Sequence, residues 1–150
     1  MKKFSLAALL IAAGLVFGVK TDAAGLGYID YQKVSDAYPV AQQAIKEVDS
    51  KTLEIQQFMV DKEKQYKSLD TPLKKQNFEE QTARELKTKQ DALMRLRAQK
   101  EELVYNKIQA ATKQVLVEQK LDAIVDYRVI FIGGVDITDL VIQKLKSGQF

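Results

Sequence analysis

The sequence has no cysteine and no histidine, and each absence excludes a class of chemistry. Without cysteine the chain can form no disulfide framework, no thiolate nucleophile and no thiolate metal site. Without histidine it has no imidazole to serve as general base or metal ligand, which excludes Ser-His and Cys-His nucleophile activation. We therefore expect no catalytic residue, no metal site and no cofactor, and a carboxylate-based hydrolase is only a distant alternative.

Residues that break helices are also scarce, since the 150 residues include only two prolines, Pro39 and Pro72, and seven glycines. Long stretches can therefore be helical without interruption. The chain is 29% charged and 46% hydrophobic, which is too charged for a membrane bundle and too apolar for a disordered chain. These values indicate one ordered domain with long helices.

The first 23 residues have the layout of a secretory signal peptide. Lys2 and Lys3 precede an apolar run from Phe4 to Val19, and small residues follow it. We predict cleavage after Ala23, with cleavage after Ala24 as the second choice. A retained membrane anchor is the other alternative, but the apolar run would rise only about 24 Å as a helix, short of the roughly 30 Å hydrocarbon core. Cleavage would lower the net charge from +3 to +1, so net charge identifies no partner.

The beginning of the mature chain predicts a short strand, a short helix and then a long helix. Residues 27–30 are β-prone, and an amphipathic segment follows at 31–38. Pro39 suits the first turn of the long helix, where its missing N–H would be unpaired anyway. A heptad spacing then continues, but polar residues occupy some of its positions, so the seam should be loose towards its far end. These positions are Ala41, Ile45, Val48, Thr52, Ile55, Met59, Lys62, Tyr66 and Leu69.

A turn and a second long helix should follow. Pro72 disfavours helical backbone at Thr71, so we expect the chain to reverse there. The stretch 73–119 contains no Gly or Pro and would form a helix on the order of 70 Å long. Its apolar stripe slips by one position after Leu103, which indicates a change of neighbour. The two helices predict an antiparallel hairpin whose projecting part, residues 41–107, we call the arm.

The C-terminal part predicts two short strands and a last helix. Apolar residues cluster at 123–125 and 129–132, and we expect these two strands to pair as a hairpin. A Gly-Gly pair would end the second strand, and Asp136 or Thr138 would cap the helix. The expected fold class is therefore mainly α with a small β part (α+β), a long helical hairpin on a small β-rich body.

The body, residues 24–40 and 108–150, is too small to bury a core on its own. A monomer whose arm exposes most of its surface should be marginally stable. Closed homo-oligomerisation would remedy this, because it would bury apolar residues of several bodies together. The residues expected in the shared body are Tyr28, Ile29, Val115, Ile124, Ile130 and Phe131.

Three segments resemble Skp/OmpH-type periplasmic chaperones. Residues 27–34 (GYIDYQKV) resemble the opening of that family, residues 121–126 (LDAIVD) its closing strand, and residues 135–141 (VDITDLV) its last helix. The order of elements is similar from the signal peptide to the last helix. The resemblance implies a periplasmic homotrimer that holds unfolded outer-membrane β-barrel proteins without ATP and prevents their aggregation during transit. Nucleic acid is not an expected partner in that compartment.

The arm carries apolar side chains that such a holdase could use, because many weak and adaptable contacts suit unfolded clients better than a shaped pocket does. The alternative is that these side chains only pack the two helices together, and we favour it for the heptad residues Met59 and Tyr66. The candidate client-binding residues are Phe58, Met59, Tyr66, Leu69, Leu73 and Phe78.

The arm is also locally basic near its tip. Lipopolysaccharide, anionic lipid headgroups or acidic clients could gather there, each basic side chain contributing about 1 kcal/mol near an anionic surface. For any single lysine the alternative of an ordinary solvated helix surface is the better interpretation. The candidate anion-contacting residues are Lys62, Lys64, Lys67, Lys74, Lys75, Arg84 and Lys87.

A structural coiled-coil tether or adaptor of the cell envelope is the alternative function. A tether should have well-filled heptad positions and a defined docking surface. The polar residues Thr52, Lys62, Gln90 and Lys100 in the expected seam suit a compliant cage better.

Overall fold

The computed structural model describes residues 25–150, and its elements confirm a mainly α fold with a small β part. The predicted signal peptide, residues 1–23, lies outside the described residues. No helix within 25–150 is long and apolar enough to cross a membrane. In chain order the elements are β1 (Leu26–Ile29), α1 (Tyr31–Ala37), α2 (Pro39–Lys67), α3 (Pro72–Glu118), β2 (Ala123–Asp126), a 3₁₀ turn (Tyr127–Val129), β3 (Val135–Asp136) and α4 (Thr138–Ser147).

Helices α2 and α3 form the antiparallel hairpin that the sequence predicts. The reversal lies between Lys67 and Pro72, and the side chain of Thr71 caps α3 by accepting a hydrogen bond from the Lys74 N–H at 3.4 Å. Pro72 occupies the first turn of α3, where no backbone donor is needed. One continuous helix of 47 residues therefore runs from the tip of the arm into the body.

The core lies where the far end of α3 packs against α1, α4 and the first turns of α2. Ile108, Val115, Ile137 and Val141 are among the buried side chains there. The predicted slip of the stripe in α3 is confirmed. Leu103 is 41% exposed whereas the next residue, Val104, is only 8% exposed.

The predicted strand hairpin is wrong, because both strand pairs within residues 25–150 are parallel. The sheet order is β2-β1-β3, with β1 in the centre and paired to both neighbours. Residues 129–132 form no strand, since the Asp126 carboxylate accepts a hydrogen bond from the Arg128 N–H at 3.0 Å and also binds its guanidinium. This local turn diverts the chain out of the sheet, and it returns only at β3 after Gly133 and Gly134, both of which have positive φ.

Helix α4 is held at its start by two side chains. Asp136 accepts a hydrogen bond from the Thr138 N–H at 2.9 Å, as expected of a capping residue, although Ile137 occupies the N-cap position itself. The buried Thr138 hydroxyl accepts a hydrogen bond from the Asp30 N–H at 3.0 Å. These bonds join α4 to the end of β1 and so close the body around its core.

Candidate functional site

The arm is built without a buried core of its own. From Ile45 to Leu103 no residue is fully buried, because only two helices meet there and polar side chains occupy part of their seam. Apolar groups consequently remain accessible to other molecules along the whole arm. The large hydrophobic side chains exposed on it are Ile45, Leu53, Met59, Val60, Leu73, Met94, Leu103 and Tyr105.

Charged side chains link the two helices where apolar ones are missing. Lys62 forms an ion pair with Glu85 at 2.7 Å, and Lys100 forms one with Glu47. The Lys62 ammonium also lies over the rings of Phe58 and Phe78, 5.1 and 5.2 Å from their centroids. Lysine can contact aromatic faces through its charge while its stem packs against apolar surface. Lys62 therefore acts as the centre of the distal seam.

The carboxylates of these two interhelical pairs have a lowered pKa. Hydrogen bonds from Lys62 and then Gln81 lower the pKa of Glu85. A hydrogen bond from Lys100, with a second from Gln43, lowers the pKa of Glu47 in the same way. Both carboxylates are thus held in the charged form that the pairs require.

The predicted client-binding residues divide into two groups. Phe58, Tyr66 and Phe78 are half-buried between the helices, and the Tyr66 and Phe78 rings lie 6.3 Å apart. Leu69 is also half-buried. Met59 and Leu73 are 42% and 67% exposed and are accessible to a client. Client binding at these residues stays a prediction, and the exposed pair is better placed for it than the three aromatic residues.

The predicted anion-contacting residues mostly have an intramolecular partner. Arg84 is the exception, since it makes no ion pair or cation–π contact within residues 25–150. The Lys62 side chain is only 16% exposed, but the other pairs are exposed and weak, typically about 0–1 kcal/mol, so an anionic ligand could exchange with their carboxylates. The partners are Glu85 for Lys62, Asp61 for Lys64, Glu63 for Lys67, Asp70 for Lys74 and Asp91 for Lys87, while Lys75 lies over the Tyr66 ring.

Two cavities open on one side of the arm. A cavity of about 330 Å³ lies at its base, between Ile45 and Val48 of α2 and Arg97 of α3. A larger one of about 590 Å³ lies towards the tip, lined by Val60, Ala83 and other residues. We call the side of the arm that contains both cavities the open groove. Its apolar residues include Ile45, Val48, Met59, Val60, Ala83 and Leu86.

Sequence reasoning found Ile45, Val48 and Met59 of the open groove as heptad positions but missed Val60 and Ala83. Val60 follows a heptad position directly, and Ala83 is small, so neither stands out in a search for helix-packing positions. The one available signal was that Ala83 lies three residues before Leu86 and so on the same face of the second long helix.

The body carries an exposed apolar segment between β2 and β3. Phe131 is fully exposed, at 101%, and Ile132 is 88% exposed. Within residues 25–150 the outer edges of β2 and β3 have no further strand beside them. A cavity of about 650 Å³ lies close by, between the end of α3 and the strands β1 and β2. The body therefore has exposed apolar residues in the segment that connects its two edge strands, β2 and β3.

The residues predicted for the shared body differ in burial. Ile29 and Val115 are already buried within one chain, at 8% and 1% exposure. Tyr28, Ile124 and Ile130 are half-buried, and Phe131 is fully exposed. Only the last four have surface left for contact with a second chain.

Comparison with known proteins places these features in a family. A family model described as OmpH, Outer membrane protein (OmpH-like), matches residues 25–145, which include all three segments that resemble Skp/OmpH-type proteins. A crystal structure of a candidate outer membrane chaperone (OmpH-like) from Caulobacter crescentus CB15 is 17% identical, and the match covers 83% of this chain and 85% of that chain with a TM-score of 0.39. A search of curated proteins gives no match. The chain belongs to the OmpH-like family.

Proposed function

We propose that this protein is an ATP-independent holdase chaperone of the periplasm, which binds unfolded outer-membrane proteins and prevents their aggregation during transit to the outer membrane. The observation that carries the proposal is the arm, which projects from the body and has no buried residue between Ile45 and Leu103. Membership of the OmpH-like family supports the same role.

The arm has the physical properties that a holdase needs. Its apolar side chains are scattered among charged ones, so no single contact is strong and many different sequences can bind. Apolar contact contributes roughly 25 cal/mol per Å² of surface removed from water, and several small contacts together can hold a client without trapping it. Methionine at Met59 and Met94 adds side chains that adapt to irregular partners.

The proposal includes assembly as a homotrimer through the body. The free edges of β2 and β3 and the exposed segment around Phe131 support assembly, since a lone sheet edge and a fully exposed aromatic ring are liabilities for a monomer. A neighbouring body could cover both. The number of three subunits follows from the resemblance to Skp/OmpH-type chaperones.

Dilution of a urea-unfolded outer-membrane β-barrel protein tests the holdase activity. We expect the protein to suppress the rise in light scattering at a near-stoichiometric ratio, with no effect of added ATP. A soluble protein of similar size and charge should leave aggregation unchanged. If aggregation proceeds at the same rate with and without the protein, the envelope tether becomes the better assignment.

Phe131→Asp tests the assembly. Because Phe131 is fully exposed in one chain, the substitution should leave the fold of that chain intact but place a charge in the shared interface. Light scattering should give about three times the chain mass for the unmodified protein and the mass of one chain for the variant, at micromolar concentration. Leu73→Asp, at an exposed residue of the arm tip, is the matched control and should remain a trimer.

A further inference from the structure

The two sides of the arm differ in chemistry. On one side Phe58 and the Lys89 ammonium, 5.0 Å from the ring centroid, cover the seam. Lys51 and Glu54 form an ion pair on this side, 2.6 Å apart. Lys62 crosses the seam to Glu85 and also lines the cavity towards the tip. The open groove on the other side has exposed aliphatic groups and two cavities lined largely by apolar residues. Two further cavities of the arm, of about 350 and 250 Å³, lie outside the open groove and are lined mainly by polar residues. The more apolar cavities of the arm therefore lie together in the open groove.

The two cavities of the open groove lie one after the other on the same face of the arm. Ile45, Val48, Met59 and Tyr66 of α2 line its two cavities, and their spacing by multiples of three and four residues keeps them on one face of the helix. Tyr66 lies 21 residues after Ile45, a rise of about 32 Å along the helix. An extended polypeptide of about ten residues has the same length, at about 3.3 Å per residue. A transmembrane β-strand contains about 9–11 residues, so the groove has the length of one such strand.

The charges that line the open groove favour cationic partners. Asp49 and Glu101 at the base cavity make no ion pair within residues 25–150, and Arg97 is the one cation there that also has none. Glu79 at the tip cavity likewise has no cationic partner, and its hydrogen bond to the Tyr66 hydroxyl raises the pKa of that phenol. The other charged residues that line the open groove, Lys62, Glu63 and Lys100, already have ion-pair partners, so its unpaired charges within residues 25–150 are three carboxylates and one guanidinium. Lysine or arginine side chains of a bound segment would be attracted to these carboxylates.

We propose that the open groove binds one extended segment of an unfolded client, about the length of a transmembrane strand, with alternate apolar side chains turned into the groove and basic residues near its ends. The proposal rests on the proposed holdase function and identifies the surface at which the client would bind. An extended chain turns every second side chain to the same face, which matches a groove that is apolar along its floor and acidic at its edges.

The location can be tested with a matched pair of alanines on α3. Ala83 lines the open groove, whereas Ala92 lies nine residues further on and so on the opposite face of the helix. Both are exposed, and the chain has no cysteine, so Ala83→Cys and Ala92→Cys each introduce a single thiol. A thiol-reactive photocrosslinker on each variant is irradiated after dilution of a urea-unfolded β-barrel protein into the sample. We expect the crosslink to the client to form at position 83 and to be several-fold weaker at position 92.

The possible outcomes distinguish client binding in the open groove from the holdase function itself. Equal crosslinking at both positions, stronger crosslinking at position 92, or none at either while aggregation is still suppressed would overturn the groove and leave the holdase function standing. Crosslinking at position 83 to another subunit without client would also overturn it, because the groove would then be an interface between copies. No crosslink together with no suppression of aggregation would refute the holdase function as well.

The chemical preference can be tested with labelled ten-residue peptides in which leucine alternates with serine. Peptides that end in lysine should bind about two- to five-fold more tightly than peptides that end in glutamate, an effect typical of partly exposed charge pairs. The difference should disappear in the double variant Asp49→Asn with Glu101→Gln and should decrease with added salt. Tighter binding of the glutamate-ended peptides, or no difference between the two, would overturn the preference for basic ends.

Discussion

At the scale of single residues, the side chain that does most in the arm is Lys62. It occupies a heptad position where a tight coiled coil would have leucine, and it is exposed by only 16% of its side-chain surface. Its ammonium contacts a carboxylate and two aromatic rings on two helices. Lys62 is thus a polar residue at a heptad position that would weaken a tight coiled coil, yet here its contacts link α2 to α3.

Lys62→Met tests this role, because methionine keeps a long apolar stem between the rings but removes the ammonium. Amides of the distal arm should exchange hydrogen about two- to five-fold faster, whereas those of the body should be unchanged. Lys64→Met is the control, since Lys64 pairs only loosely with Asp61 of its own helix, at 3.9 Å. Equal exchange in both variants, measured by mass spectrometry of arm peptides, would show that the ammonium does not hold the helices.

At the scale of elements, the central strand β1 organises the body. It pairs with β2 and β3, and its end is bonded to α4 through Thr138. The packing is close enough that Gly27 has no room for a side chain. A Cβ there would lie 2.7 Å from the Leu121 Cδ1 and 3.3 Å from the Ile124 Cγ1.

Gly27→Ala should therefore destabilise the body by about 1–3 kcal/mol, the usual cost of overpacking. The atom nearest to the new methyl group is the end of a leucine side chain, so Leu121→Ala in the same chain should recover part of the loss. Urea unfolding of the two single variants and the double variant, at one protein concentration, measures the coupling between the sites. Strictly additive losses would show that the methyl group is not in conflict with Leu121.

At the scale of the whole molecule, stability should be graded from the body to the tip of the arm. The buried apolar residues reach only to Ala44 on α2 and Val104 on α3, a few residues into the segment assigned to the arm. Beyond them the helices depend on partly exposed ion pairs and half-buried side chains, which resist local opening weakly. An arm of this kind can separate or bend around a client while the body stays folded.

Acid should loosen the arm, since Glu47 and Glu85 have a pKa lowered below the ordinary value of 4.5. A lowered pKa in the folded state means that the pairs stabilise the arm above pH 4.5 and are lost as the pH falls through the folded value. Spin labels at Gln57 and Gln90, one on each arm helix, should show a broader distance distribution below that value. The double variant Glu47→Gln with Glu85→Gln should already be broad at neutral pH and change little on acidification. A pH-dependent distribution in this variant would point to other carboxylates.

Much of the fold follows from local features of the sequence. Pro39 and Pro72 mark the starts of α2 and α3, and the slip of the apolar stripe after Leu103 marks where α3 enters the body. These features act within one or two helical turns, so they do not depend on contacts with distant parts of the chain. The family assignment rests on equally local segments, and the match over residues 25–145 confirms it.

The remaining features depend on contacts between residues far apart in the sequence. The alternation of apolar residues at 129–132 suits a strand, but the bond between Asp126 and Arg128 turns the chain away, and β1 takes β3 as its neighbour instead. Likewise, periodicity identifies the seam of the arm but not which of its sides is covered by Phe58 and Lys89 and which is left as the open groove. The sequence by itself determined the helices, their reversal and the absence of histidine and cysteine chemistry, because these depend on residue types and short spacings. Only the tertiary structure decided the strand order and the accessible face of the arm, because both depend on which distant side chains meet.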